Sequence, residues 1–144
     1  MSTRCQIGFY RRPDQYIKKW DALLYRHCDG YPDSVVPDIL PFLQEFQAKR
    51  GLDDSDYAAA WLMHYLIDRH IKSMMEWHKT FGGNVVPSDG RDWLGHGITN
   101  QLYLDIEYFY AVFPDRLAVY DVPNAKKVDT WKLLDTIQIP KGGK

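Results

Sequence analysis

The sequence predicts an α+β domain, in which a mostly antiparallel sheet of about five strands is covered on one face by two helices. A long stretch in the middle of the chain places apolar residues at helical spacing, whereas stretches near both ends alternate between apolar and polar residues. The chain has 144 residues, which suits a single globular domain, residues 1–144, with room for a hydrophobic core.

The first two predicted elements form a β-hairpin. Residues 3–10 alternate as a strand does, residues 11–21 are charged and contain a Pro-Asp turn signal, and residues 22–27 return as a second strand. A hairpin centred on this loop would place Cys5 opposite Cys28. A disulfide is conceivable at that spacing, but a reducing compartment favours free thiols.

A corner follows at residues 25–32, which read Tyr-Arg-His-Cys-Asp-Gly-Tyr-Pro. The pair Asp29-Gly30 predicts a turn, because glycine reaches positive φ without steric cost. Pro32 is expected to keep the preceding residue extended and to delay the helix, for which Ser34 is the predicted cap. The corner would hold ionisable side chains in fixed positions between two elements.

Two helices are predicted after the corner. The first runs to about Gln47 and stops at Gly51. The second runs from about Asp56 to Thr80 and ends at a Gly-Gly pair. Its predicted buried stripe holds His70 at its centre and consists of Ala59, Met63, Leu66, Ile67, Met74, Trp77 and Phe81.

The remaining chain predicts a long loop and then three strands. Residues 82–97 are rich in glycine and are expected to be a loop. Residues 102–112 alternate cleanly, and after a Pro-Asp turn residues 117–122 form the returning strand of a hairpin. Residues 130–139 predict a last strand, with a short helix as the alternative.

The sharpest candidate for catalysis is His27 with Asp29, because a histidine oriented by a carboxylate can act as a general base. Arg26 and Arg4 could hold an anionic group beside it. The alternative is structural: Asp29 would stabilise its own turn, and His27 would simply end a strand.

Two other pairs of polar residues have either a metal-binding or an ordinary surface role. His64 and Asp68 lie four residues apart on the second helix, which is half of a metal-site spacing or a surface pair. Asp105 and Glu107 would share one strand face as a carboxylate pair or as a solvent-facing row. No complete metal, phosphate or dinucleotide motif occurs in the sequence, so no cofactor or metal is predicted.

Composition and charge narrow the possible partners. The formal net charge is −1 at pH 7, so no general basic field attracts nucleic acid or an anionic membrane. No apolar run reaches the length of a membrane helix, and the first residues lack the apolar core of a secretory signal. The expected location is therefore the cytoplasm, with no membrane partner.

The opening Ser2-Thr3-Arg4 and the corner motif resemble a group of small bacterial and phage proteins of unknown activity. That group shares a Ser/Thr-Arg strand followed by Tyr-x-His-x-Asp-Gly-Tyr-Pro and a helix. The likeness covers roughly the first third of the chain, and members often carry a small residue such as glycine where Val36-Pro37 stand here. The matching positions are Thr3, Arg4, Tyr25, His27, Asp29, Gly30, Tyr31 and Pro32. The resemblance implies a phage or mobile-element setting and supplies no catalytic role.

The expected function is therefore that of a phage- or mobile-element-linked accessory protein that acts by binding another protein. One alternative is a small hydrolase or nuclease-like enzyme that uses His27 and Asp29, with Arg4 or Arg26 as an anion clamp. Another alternative is single-stranded nucleic-acid binding through aromatic residues of the sheet and basic residues of the first hairpin. The sequence leaves the oligomeric state open.

Overall fold

A computed structural model describes residues 3–81 and 95–141, apart from the side chains of His78 and Phe81. The fold is α+β as predicted, but the sheet has six strands rather than five. In chain order the elements are β1 (Cys5–Phe9), β2 (Ala22–Arg26), α1 (Pro32–Lys49), α2 (Ser55–Phe81), β3 (His96–Thr99), β4 (Tyr108–Phe113), β5 (Arg116–Asp121) and β6 (Lys132–Gln138). The strand order is β3-β2-β1-β4-β5-β6, and β1 and β4 are parallel whereas every other neighbouring pair is antiparallel.

The additional strand is β3, which lies partly within the predicted loop 82–97. Its four residues pair with β2, and Arg26 lies opposite His96. A strand of four residues with a glycine inside it is too short to produce a clear alternating pattern. Residues 82–94 of the predicted loop lie outside the described residues.

The register of the first hairpin differs by two residues from the prediction. Cys5 lies opposite Arg26, not Cys28. The backbone N–H of Asp21 donates to the Phe9 carbonyl at 2.8 Å, so Phe9 pairs with Ala22, two residues earlier in the second strand than predicted. Cys5 is buried, Cys28 is exposed, and no disulfide joins them. Because the shift is an even number of residues, every side chain keeps its predicted face of the sheet.

Both helices pack on one face of the sheet, as predicted. Val35, Ile39 and Leu43 from α1 and Leu62 and Leu66 from α2 share a core with the sheet. The sheet contributes Cys5, Ile7, Phe9, Leu24, Tyr110, Val112, Leu117 and Val119 to this core. The opposite face has a second core, which connecting segments cover and which contains Tyr10, Leu23, Ile106, Phe109, Ala111, Phe113, Ala118, Val122, Ala125 and Trp131.

Helix α1 begins at Pro32, two residues before the predicted cap. Tyr31 is the N-cap residue with extended backbone (ψ 156°) and no capping side chain. Its carbonyl accepts from the backbone N–H groups of Ser34 and Val35, both at 3.0 Å. The prediction that Pro32 delays the helix was wrong, because the first helical position needs no N–H and tolerates proline. After the helix, Gly51 takes φ +110°, which confirms it as the stop.

Helix α2 matches its predicted bounds to within a residue at each end. Its fully buried side chains end at Leu66, and Trp77, predicted to be buried, is 57% exposed. The helix therefore extends beyond the sheet that covers its first half. Despite its length, neither α2 nor any other helix in the described ranges is long and apolar enough to cross a membrane.

The segment before β4 is not a strand, although alternation predicted one from residue 102. The buried Gln6 side chain donates from Nε2 to the Gln101 carbonyl at 2.9 Å and accepts from the Tyr103 backbone N–H at 3.0 Å. Hydrogen bonds from this side chain therefore hold the backbone at residues 101–103, where hydrogen bonds between strands were expected. Residues 101–107 fold over the second face of the sheet, and Leu104 is 65% exposed.

Candidate functional site

The four predicted site residues do not form one site. Arg26 is the last residue of β2 and points to the helical side, where its Nη2 lies 2.9 Å from Asp38 Oδ2. His27 follows it in the chain and contacts Arg4 instead. Within the described residues, no hydrogen bond or ion pair joins His27 to Asp29, which is exposed. Arg26 and His27 point to opposite faces because adjacent side chains alternate along a strand.

The corner has a structural explanation for its Asp-Gly pair. Asp29, not Gly30, takes the positive φ of 56°, which aspartate tolerates better than most residues. A Cβ on Gly30 would lie 2.8 Å from the Thr3 carbonyl oxygen. Gly30 donates its backbone N–H to that same oxygen at 2.9 Å. The glycine is therefore required for close packing against the start of β1, not for its conformational freedom.

His27 belongs to a polar cluster on the face opposite the helices. Arg4 Nε donates to His27 Nδ1 at 3.3 Å, and the Tyr25 hydroxyl lies 3.1 Å from the same nitrogen. Arg4 also forms an ion pair with Asp105 at 2.6 Å. The Tyr103 ring packs edge-on against Tyr25, with centroids 5.0 Å apart.

These contacts determine the tautomer of neutral His27. Arginine can only donate, so Nδ1 must accept and the proton of the neutral ring lies on Nε2. The outer nitrogen is then a hydrogen-bond donor, and it cannot take a proton from a substrate while the Arg4 bond is made. Arg4 is already paired with Asp105, and the negative charge of Asp105 reduces the attraction of Arg4 for an added anion. Asp105 is therefore an arginine partner, not half of a carboxylate pair with Glu107.

Arg26 is held on the other face by three groups. Its Nε donates to the Cys28 carbonyl at 3.0 Å, and its Nη2 contacts Asp38 and, at 3.3 Å, Ser34 Oγ. The side chain is 9% exposed. Within the described residues, Nη1 is buried without a hydrogen-bond partner. An arginine so placed has one NH2 group, with two N–H donors, left for a ligand.

A cavity of about 220 Å³ lies beside Arg26. We call it the arginine cavity, and it is lined by Arg26, Asp38, Leu66, Arg69, His70, Ser73 and His96. His96 Nε2 is buried and has no hydrogen-bond partner in the described part of the chain. Burial, with a smaller contribution from the Arg26 charge, lowers the pKa of His96 to about 4, so its ring is neutral at neutral pH.

No sequence pattern predicts this cavity. Arg26 was predicted to act with His27, and His96 was assigned to a loop. Asp38 and Arg69 come from different helices, and Arg69 reaches the Asp38 carboxylate at 3.4 Å. Only the pairing of β3 with β2 brings His96 to Arg26, and no local pattern indicates that pairing.

A second feature lies on the outer side of the helical layer. We call it the helical groove: it has a volume of about 560 Å³ and is lined by Phe42, Glu45, Phe46, Lys49, Arg50, Trp61, His64, Tyr65 and Asp68. Phe42 packs against Phe46 and Tyr65, with ring centroids 5.7 and 5.4 Å apart. These three rings form the apolar floor between α1 and α2.

Trp61 stands at the edge of this groove and is 53% exposed. It also borders an adjoining hollow with Tyr57 and Ala60, so one indole ring lies between two depressions. His64 contacts this indole edge-on at 5.7 Å. Asp68, the predicted partner of His64, is instead paired with Lys72 at 3.0 Å.

In the described ranges, no group of three or more His, Cys, Asp or Glu side chains is arranged to hold a metal ion. Comparisons with protein-family models, curated proteins and solved structures find no match to this chain.

Proposed function

We propose that this chain is an accessory binding protein of a phage or mobile element, and that the helical groove binds an amphipathic helix of a partner protein. The observation that carries the proposal is the half-exposed Trp61 at the edge of an apolar groove. The likeness of the N-terminal motif to small phage proteins supports the biological setting.

The residue types in and around the groove favour protein binding. Tryptophan, tyrosine and arginine are the side chains that most often dominate binding energy at protein interfaces. Trp61 and Tyr65 line the groove, and Arg50 stacks over the Tyr57 ring at 4.1 Å. An apolar groove between two helices suits the apolar face of a third helix, which presents side chains at positions i, i+3 or i+4, and i+7.

The charges at the rim indicate what kind of helix fits. Lys49 pairs with Glu45 at 2.6 Å, Arg50 with Asp54 at 2.7 Å, and Asp68 with Lys72. Each charge is therefore balanced within or beside its own helix, and the rim favours neither an acidic nor a basic partner. We expect recognition through apolar side chains, with affinity that depends weakly on salt.

The alternative functions receive less support from the contacts. A general base at His27 would require breaking the bond from Arg4, and Asp29 does not orient the ring. Nucleic-acid stacking on the sheet requires exposed rings, but Phe9, Phe109 and Tyr110 are fully buried beneath the layers that cover its two faces.

The experiment is a selection from a displayed library of helical peptides whose residues vary on one face. Binding of the best peptide is then measured for the wild type, Trp61→Ala and Trp77→Ala. Trp77 is the matched control, because it lies on the same helix with similar exposure, 57% against 53%, but about 24 Å further along it. We expect Trp61→Ala to weaken binding by about 2 kcal/mol, roughly thirtyfold.

Selected peptides should share apolar residues at helical spacing, and Trp77→Ala should bind them like the wild type. A failure to select any helical peptide would count against the proposal. So would equal losses of affinity in the two tryptophan variants.

A further inference from the structure

We propose that the arginine cavity binds a small, singly charged carboxylate. This site is separate from the helical groove and goes beyond the proposed function. Two buried polar atoms point to a ligand: Arg26 Nη1 and His96 Nε2, neither of which has a hydrogen-bond partner in the described residues.

An unpaired N–H of a buried guanidinium is unfavourable, because the group has lost water and gained nothing in return. The other polar atoms of Arg26 are engaged by the Cys28 carbonyl, Asp38 and Ser34. This leaves Nη1 as the one nitrogen of Arg26 without a partner, and it can only donate. The occupant must therefore present an acceptor atom.

The charge of the site favours a monoanion. Arg26 on β2 and Arg69 on α2 carry two positive charges, and Asp38 on α1 carries one negative charge. His96 is neutral at neutral pH, and its neighbours in the cavity include His70 on α2. One negative charge balances the remaining positive charge, whereas a dianion would leave an excess inside a partly buried site.

A carboxylate also suits the donors of the site. The neutral His96 ring donates from Nε2 when its proton is on that nitrogen, and the Nη1 amino group of Arg26 supplies two further N–H donors. The two oxygens of a carboxylate have enough lone pairs to accept all three. The cavity of about 220 Å³ has several times the roughly 30 Å³ that one water occupies in the liquid. Leu66 supplies an apolar wall for a short hydrocarbon group.

The test is an NMR titration of the His96 ring with sodium acetate at neutral pH, with total salt held constant by sodium chloride. The His96 signals are assigned by their loss in His96→Gln. We expect a saturable shift of the ring signals and a rise in the pKa of His96, because a bound anion favours the protonated ring. Sodium phosphate at the same ionic strength should give a weaker response.

Two variants keep the test independent of folding. Arg69→Gln removes one charge from the cavity, and Arg69 is half-exposed, so the fold should tolerate it. Lys72→Gln is the control, because it removes the same charge from the same helix at an exposed position outside the cavity lining. Acetate should bind Arg69→Gln at least about fivefold more weakly and bind Lys72→Gln like the wild type. No saturable shift, tighter binding of phosphate, or equal losses in both variants would overturn the proposal.

Discussion

Gly30 is the residue on which the corner depends most directly. A methyl group at this position would lie within about 3 Å of three atoms of residues 3–5, two of them backbone atoms that cannot move aside. We expect Gly30→Ala to lower the free energy of unfolding by about 1–3 kcal/mol, the usual cost of overpacking.

Urea denaturation would measure this loss, and Gly97→Ala is the control. A Cβ at Gly97 would meet no atom of the described residues within 4 Å, so that variant should stay close to the wild type. Equal losses in the two variants would show that glycine flexibility, and not close packing, is what the corner requires.

His96 should make stability depend on pH. Its pKa is about 4 in the folded chain against 6.5 for an ordinary histidine, so the unfolded chain binds more protons between these values. Stability should therefore be complete above about pH 6.5 and should decline as the pH falls towards 4, by roughly 3 kcal/mol at most. Protonation is opposed by burial, by Arg26 and by His70, and favoured by Asp38.

Unfolding free energies of the wild type and His96→Gln, measured by urea denaturation across this pH range, would test the assignment. The variant should lose part of the decline, because glutamine does not titrate. If both proteins declined equally, other groups would be responsible.

At this scale the sequence predicted that Arg4, Arg26, His27 and Asp29 would form one site, but the structure does not bring all four together. Tyr25, His27 and Arg4 do lie close together, because the start of β1 and the end of β2 meet at the same end of the hairpin. Arg26 is separated from them because adjacent strand residues point to opposite faces. Its partners Asp38 and His96 are distant in sequence, and no local pattern predicts that they lie beside Arg26.

At the scale of elements, the buried side chain of Gln47 joins α1 to the turn between β4 and β5 and to the residue that follows β6. Gln47 Nε2 donates to the Pro114 and Ile139 carbonyls at 2.5 and 2.8 Å, and its Oε1 accepts from the Leu52 backbone N–H at 2.8 Å. Gln47→Leu would leave two buried backbone groups and one partly buried one without partners. We expect a loss of at least about 2 kcal/mol in the free energy of unfolding, since each such group costs about 1–3 kcal/mol.

Urea denaturation measures this loss as well. Gln44→Leu is the matched control, because Gln44 lies on the same helix and is exposed. A Gln47→Leu variant as stable as this control would contradict the proposed role of Gln47 as a clamp.

Elements with a long, sustained period were predicted well, and short or irregular ones were not. The bounds of α2 followed from helical spacing maintained over seven turns. The alternation at residues 102–107 resembled a strand, but Gln6 holds the start of that segment through side-chain hydrogen bonds instead of a strand ladder. Strand β3 was missed because four residues carry too little pattern.

In the whole molecule, the fold class followed from local patterns, whereas the order of the strands did not. The parallel pairing of β1 with β4 joins residues about a hundred positions apart, and no local pattern encodes it. Neither did the sequence show that connecting segments would cover the second face. Both faces of the sheet are covered, and the exposed aromatic residues of the described chain include Tyr57 and Trp61 on α2.

The central claim is that the helical groove, and not His27 at the corner, binds the partner protein. The most direct test is the dissociation constant of one selected helical peptide for the wild type, Trp61→Ala and His27→Gln. Our account predicts that Trp61→Ala weakens binding roughly thirtyfold, whereas His27→Gln binds like the wild type. Weakened binding in His27→Gln together with unchanged binding in Trp61→Ala would contradict the account.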